Sequence, residues 1–184
     1  IQTVEVSLRS RCGKKVYASH TFEINPGGFE RYDCVLAAND TDTEATFHIA
    51  SKQKGIIKIG FSSLMPVETY NRRVNGLRKD IVELLAGMNA SFLRFPGGCI
   101  VEGLTKETAL RFENTIGPVW ERPSHWLLWF YRTTNGLGFH EYLQLCEDIN
   151  LEPMYVINCG MTCQHRNPDY FDDKLAKEFL QDAI

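Results

Sequence analysis

The sequence predicts an all-β segment followed by an α/β segment with parallel strands, and three observations carry that prediction. Up to about Leu64, apolar residues alternate with polar ones, Val4, Val6 and Leu8 in one run and Ala45, Phe47 and Ile49 in another, which is the period of half-buried strands. After Pro66 the period lengthens, and Leu77, Ile81, Leu84, Leu85 and Met88 recur at helical spacing. From there helices alternate with short apolar strands, the order that crossover connections between parallel strands require.

In the first segment about five short strands are expected from this alternation. Asn25-Pro26-Gly27-Gly28 and Asn39-Asp40-Thr41-Asp42 separate the runs, the first through a fixed φ and two permissive glycines, the second through side chains that bond their own backbone. In the second segment Asn75 is placed to cap the helix that carries Leu77 to Met88. A strand at Phe92 to Phe95 follows, then a long irregular stretch. The next helix should bury Phe139, Tyr142, Leu143, Cys146 and Ile149, and a strand at Met154 to Ile157 comes after it. A last helix is expected over Phe171 to Ile184, with Ala176, Phe179, Leu180 and Ala183 on one face. The change of period near Met65 and Pro66 sets two domains, 1–65 and 66–184. No flexible Gly/Ser linker joins them, so they are expected to pack rigidly.

Composition narrows the function classes. With 184 residues, 43% apolar and 23% charged, the chain has the makings of an ordinary globular core. A net charge of −3 and a pI near 6.0 supply no basic field, so nucleic acid is not an expected partner. No apolar run approaches the roughly 20 residues that span a bilayer. The start at Ile1 and the helical pattern still running at Ile184 are read as cut ends. Six cysteines, Cys12, Cys34, Cys99, Cys146, Cys159 and Cys163, are too sparse for a disulfide framework. Cys159, Cys163 and His165 offer only a partial metal pattern, because no second ligand pair follows at zinc spacing. No metal and no cofactor are expected.

Residues 96–137 separate the strand ending at Phe95 from the next helix, where βα loops ordinarily run about 2–6 residues. Loops leaving the carboxyl ends of parallel strands build ligand sites, so an oversized one is a functional signal. It opens with Pro96-Gly97-Gly98-Cys99, either a tight turn or a place where backbone approaches a ligand. Arg94 lies in an otherwise apolar strand. A fully buried parallel strand has no solvent face, so a paired guanidinium is favoured over a solvated one. Trp120, Trp126, Trp129, Phe130 and Tyr131 crowd the loop, either as sugar-stacking rings or as a small core of its own. Glu102, Glu113 and Glu121 offer candidates for the carboxylate pair of a glycosidase, which stands about 5–9.5 Å apart, but loop glutamates are read as solvated charge.

From about Phe61 to Ile184 the sequence resembles the α-L-arabinofuranosidases of glycoside hydrolase family fifty-one that carry an inserted sandwich. The residues that carry the resemblance are Ser63-Leu64-Met65-Pro66, Asn75-Gly76-Leu77-Arg78-Lys79-Asp80, the run from Phe92 to Gly103, Thr115 to Pro118, Glu121-Arg122-Pro123, and the run from Gly136 to Asp148. It implies a partial (β/α)8 TIM barrel whose second and third strands are Phe92–Phe95 and Met154–Ile157. The segment 1–65 then resembles the end of a carbohydrate-binding-module-like jelly-roll β-sandwich.

The resemblance further implies a retaining, exo-acting enzyme that removes terminal arabinofuranosyl residues from hemicellulose or pectin side chains. Both catalytic glutamates, after the fourth and seventh barrel strands, would lie outside this chain, so the chain alone is expected to be inactive. Carried over residue by residue, Arg94, Gly98, Cys99 and Trp129 match the wall of the furanose pocket, and Asn158 stands at the end of the third strand. Two departures are visible: Cys99 replaces a frequent asparagine, and Phe130 replaces the usual glycine of a Trp-Gly-Tyr-Arg pattern. The implied partner is an arabinofuranosyl-containing oligo- or polysaccharide, the implied location secreted, periplasmic or cell-surface, and a homo-oligomer is compatible with some relatives. A non-catalytic carbohydrate-binding module and a fragment of another barrel glycoside hydrolase are the competing readings.

Overall fold

A computed structural model describes residues 1–163 of the chain. The expected last helix over Phe171 to Ile184, and His165, lie outside the described residues. The chain divides into a first compact unit, Ile1–Ser62, and a second that begins at Ser63.

In the first unit, β1 (Gln2–Arg9), β2 (Val16–Ile24) and β3 (Thr46–Ala50) form an antiparallel sheet in the order β2-β1-β3. Alternation along β1 holds for Val4 and Val6, whereas Leu8 is half-buried and Ser7, on the other face, is buried. Val4 and Val6 are buried in the core with Tyr17. On the other face Arg9 donates to Ser7 Oγ at 2.8 Å and pairs with Glu5 at 2.5 Å. Three strands form among the described residues rather than about five. Between β2 and β3, Pro26 offers no amide to a ladder, and acidic side chains take amides that a strand would use. Thr41 N–H donates to Asp40 Oδ1 at 2.8 Å and Glu44 N–H to Asp42 Oδ1 at 2.9 Å.

The second unit contains α1 (Lys79–Gly87), β4 (Phe92–Phe95), α2 (Gly98–Glu102), β5 (His125–Trp126), β6 (Arg132–Thr133), α3 (Phe139–Asp148) and β7 (Glu152–Tyr155). β4 and β7 pair in parallel, with Arg94 opposite Met154 and Phe95 opposite Tyr155. β7 starts two residues ahead of the expected strand at Met154, because Glu152 N–H already donates to Ser91 O at 3.0 Å. Val156 N–H donates to Phe95 O at 2.7 Å and carries the ladder one residue past the end of β7.

α3 is the crossover, and an aromatic cluster seats it. Phe95, 2% exposed, stacks on Tyr142 with ring centroids 4.6 Å apart, and Phe139 meets Tyr155 edge-on at 4.8 Å. Of the face expected to be buried, Cys146 is fully buried, while Leu143 and Ile149 are only half-buried. Glu141 and Leu145 are buried instead. On α1 only Val82 is buried; Leu84 and Met88 of the predicted stripe are 71% and 70% exposed.

Asn75 does not cap α1, which begins at Lys79 behind Arg78. It adopts φ 54°, a left-handed conformation that asparagine tolerates. Its amide reaches across to donate to Gly136 O at 2.8 Å and Glu141 Oε1 at 2.9 Å.

Candidate functional site

The carboxyl ends of β4 and β7 bring four of the five sequence-predicted site residues to one end of the parallel pair. Arg94 is the penultimate residue of β4, and Gly98 and Cys99 open α2 directly after it. Asn158 follows β7 by three residues. Trp129 stands apart on the β5–β6 hairpin, and no described contact joins it to the others.

Arg94 is expected to pair with a carboxylate or a ligand. Rather than being buried against a carboxylate, its side chain belongs to an exposed residue, and among the described residues no acid pairs with it. Two strands cannot close a barrel, so β4 keeps an open face that a fully buried strand would lack. The guanidinium lies over Gly97, where φ is 96° and an added Cβ would stand 3.3 Å from Arg94 Nη1. Glycine at this turn therefore serves backbone geometry and side-chain clearance together.

Asn158, expected at the sugar, forms a clip within the chain. It is 2% exposed, and its Nδ2 donates to Val101 O and Met161 O, both at 2.9 Å. Its Oδ1 accepts from Gly160 N–H at 2.7 Å and Met161 N–H at 2.9 Å. An asparagine amide has two donor hydrogens and two acceptor lone pairs, and all four are engaged inside the chain. The clip ties the segment after β7 to α2. Cys163 N–H continues the tie, donating to Gly103 O at 2.7 Å.

The same tie assembles a group that sequence spacing did not reveal. Cys99 Sγ, a Glu102 carboxylate oxygen and Cys163 Sγ all lie within 4.8 Å of one another. Cys159 of the partial pattern is not in this group, and His165 lies outside the described residues. The available signal was Cys99 and Glu102 at i, i+3, one face of a helical turn.

The long loop is pinned by Leu127 and Leu128, 6% and 8% exposed, rather than by its rings. Trp120, Trp126, Trp129, Phe130 and Tyr131 are all exposed. Trp129 and Tyr131 stack with centroids 6.3 Å apart, and the Arg132 guanidinium lies 5.7 Å from the Trp126 ring. The three candidate glutamates have separate settings: Glu102 in the cysteine group, Glu113 bonded to Arg111 at 2.7 Å, and Glu121 exposed. Burial in the aromatic cluster, reinforced by the Glu113 charge, pushes the Tyr155 hydroxyl up to about 12, so it stays protonated.

Beneath the loop, Arg122 anchors its return to α3. Its guanidinium donates to Glu141 Oε1 at 2.7 Å and Oε2 at 3.0 Å, to Asn135 O at 2.9 Å and to Gly117 O. Glu141 Oε2 also accepts the Gly138 amide at 2.8 Å, and Thr115 Oγ1 accepts that of Phe139 at 2.9 Å, so the start of α3 is capped from the loop. A Cβ at Gly138 would collide with the Thr115 carbonyl and stand 2.8 Å from Arg122 Nη1. Only glycine lets these three segments meet.

A parallel strand pair crossed by a helix, with a long loop of exposed rings leaving the first strand, has the architecture of a segment of an α/β enzyme. The family model described as "Alpha-L-arabinofuranosidase 1 domain" matches residues 84–184, and the chain belongs to the α-L-arabinofuranosidase family, glycoside hydrolase family 51. It is 34% identical to α-L-arabinofuranosidase 1 of Arabidopsis thaliana over 98% of its length and 26% of that protein's. It is 30% identical to the extracellular exo-α-L-arabinofuranosidase of Streptomyces chartreusis over 99% of its length and 23% of that protein's. An arabinose-bound family 51 α-L-arabinofuranosidase structure matches 99% of the chain and 30% of its own, with a TM-score of 0.80 and 26% identity. The chain thus spans about a quarter of the length of these curated relatives.

Proposed function

We propose that the protein to which this chain belongs is a retaining, exo-acting α-L-arabinofuranosidase that removes terminal arabinofuranosyl residues from hemicellulose or pectin side chains. The observation that carries the reading is the likeness over 99% of the chain to an arabinose-bound family 51 enzyme. In this reading residues 1–65 end a jelly-roll sandwich and residues 66–184 begin a (β/α)8 barrel, with β4 and β7 as its second and third strands.

Arg94, Gly98 and Cys99 would form one wall of the furanose pocket, with Trp129 at its edge and Asn158 holding the wall from behind. Exposure of Arg94 fits a cation awaiting a ligand or a later strand. The chain as given would not hydrolyse a glycoside, because retention requires one carboxyl to protonate the leaving oxygen and another to attack. Secretion or display at the cell surface suits a polymer substrate, and the Streptomyces relative is named extracellular. No described helix is long and apolar enough to cross a membrane.

The natural-length protein and the 184-residue chain are to be assayed side by side on para-nitrophenyl α-L-arabinofuranoside and on the β-D-xyloside. Phenolate release from the arabinofuranoside by the longer protein alone is expected. Cleavage of the xyloside without the arabinofuranoside would overturn the substrate assignment, and turnover by the short chain would overturn the placement of the carboxylates.

A further inference from the structure

We propose that Cys99, Glu102 and Cys163 form a binding site for one zinc(II) ion at the carboxyl end of β4. The proposal does not rest on the glycosidase reading. Two thiols and a carboxylate converge within 4.8 Å from segments more than sixty residues apart in sequence. Zinc takes thiolate sulfur at about 2.3 Å and carboxylate oxygen at about 2.0–2.2 Å in tetrahedral geometry. Donors around such a centre stand just under 4 Å apart, so small side-chain rotations close the group. Two thiolates select zinc over magnesium or calcium, which prefer all-oxygen ligands.

The scaffold holds the donors in register. Cys99 and Glu102 share one turn of α2, and Gly103 N–H donates to Cys99 O at 2.9 Å. Gly103 O in turn accepts the Cys163 amide at 2.7 Å, and the Asn158 clip fixes the intervening segment to Val101. Cys163 is buried at 7% exposure whereas Cys99 is exposed. One ligand is therefore anchored in the protein and another borders solvent, and the described residues supply three of the four tetrahedral positions. Binding converts both thiols to thiolates and releases their protons to buffer. A disulfide between Cys99 and Cys163 would use the two sulfurs and leave Glu102 without a part.

The test uses the natural-length protein, metal-free, with its thiols reduced. Cadmium(II) serves as the optical probe through its ultraviolet thiolate charge-transfer band, and zinc(II) as competitor. A saturable band of one cadmium per chain, displaced by zinc, is expected. It should vanish in Cys99→Ser and Cys163→Ser and survive in Cys12→Ser, Cys34→Ser and Cys159→Ser. Glu102→Gln should weaken affinity by at least about tenfold, as loss of even an outer partner does. Because Cys163 is buried, circular dichroism accompanies each variant, and the exposed Cys99→Ser decides should Cys163→Ser fail to fold. A band that persists in Cys99→Ser, the absence of a saturable band, or a Glu102→Gln variant binding as tightly as the parent would overturn the proposal.

Discussion

Arg122 and Glu141 form a two-pronged ion pair whose side chains are only 3% and 5% exposed. Burial by itself would push the Glu141 carboxyl up. Hydrogen bonds from Arg122, Asn75 and the Gly138 amide outweigh it and hold the group below its ordinary 4.5. The pair therefore fastens the end of the long loop, the left-handed turn at Asn75 and the first turn of α3 to one another.

Breaking one partner leaves an uncompensated buried charge, which costs about 3–5 kcal/mol. Arg122→Met should lower stability by that amount in urea titrations, and the apolar double variant Arg122→Met/Glu141→Leu should recover part of it. A single variant costing under 1 kcal/mol would show that the pair is not a stabilising anchor. A pH dependence follows from the same carboxylate. Its folded-state pKa lies below the unfolded value, so its contribution is fully present above about pH 4.5 and is lost as pH falls through the lower folded value. Asp148, held low chiefly by Arg73 at 2.7 Å, acts in the same direction. The urea midpoint of Glu141→Gln should consequently depend less steeply on pH below 4.5 than that of the parent.

Phe95 links β4 to α3 through Tyr142 and to β7 through Tyr155. Phe95→Ala removes the most enclosed ring of this cluster, and such truncations cost about 3–5 kcal/mol. The expected result is a matching fall in unfolding free energy, with Phe95→Leu losing less. An alanine variant within 1 kcal/mol of the parent would mean that α3 is seated by other contacts.

Arg94 and Asn158 should separate stability from activity. Arg94 is exposed and without an acidic partner among the described residues, so Arg94→Ala should leave the unfolding midpoint unchanged. In the natural-length enzyme it should lower kcat on an aryl arabinofuranoside. Asn158→Ala abandons four hydrogen bonds at a buried site, and each is worth about 0.5–1.5 kcal/mol. Its effect should appear first as lost stability. Wild-type kcat in Arg94→Ala would remove that residue from the pocket.

Patterns of period were legible in the sequence, and partnerships were not. Val4 and Val6 in β1 are buried where their spacing put them, while Phe139 and Tyr142 in α3, though only half-buried, pack on Phe95. Asn75 before a helical run reads as a cap, yet the same short amide suits a left-handed turn, and only the fold chooses between them. The burial of Glu141 leaves no periodic trace, because its partner Arg122 lies nineteen residues away on an irregular loop. Cys163 joins Cys99 through a backbone tie that leaves no periodic trace. Arg94 reads as paired because a fully buried parallel strand has no solvent face, whereas it is exposed here.

Phe130 offers the sharpest test of backbone reading. It occupies φ 64° at the tip of the β5–β6 hairpin, where the resemblance places a usual glycine. For a residue with a Cβ this left-handed conformation costs about 1–2 kcal/mol. Its N–H donates to Leu127 O at 3.1 Å, and Leu127 N–H to Tyr131 O at 2.8 Å, so the turn is fixed by backbone bonds that a substitution leaves intact. The ring is 74% exposed and loses little burial on removal. Glycine gives back part of the gain through its larger unfolded-state entropy, about 0.5–1 kcal/mol. Phe130→Gly should therefore raise stability by up to about 1 kcal/mol, and Phe130→Val, β-branched and strained at positive φ, should lower it. Urea unfolding of the two variants beside the parent checks the sign of each. If glycine destabilises while valine is neutral, the phenyl ring contributes more to the hairpin than the strain of its turn removes.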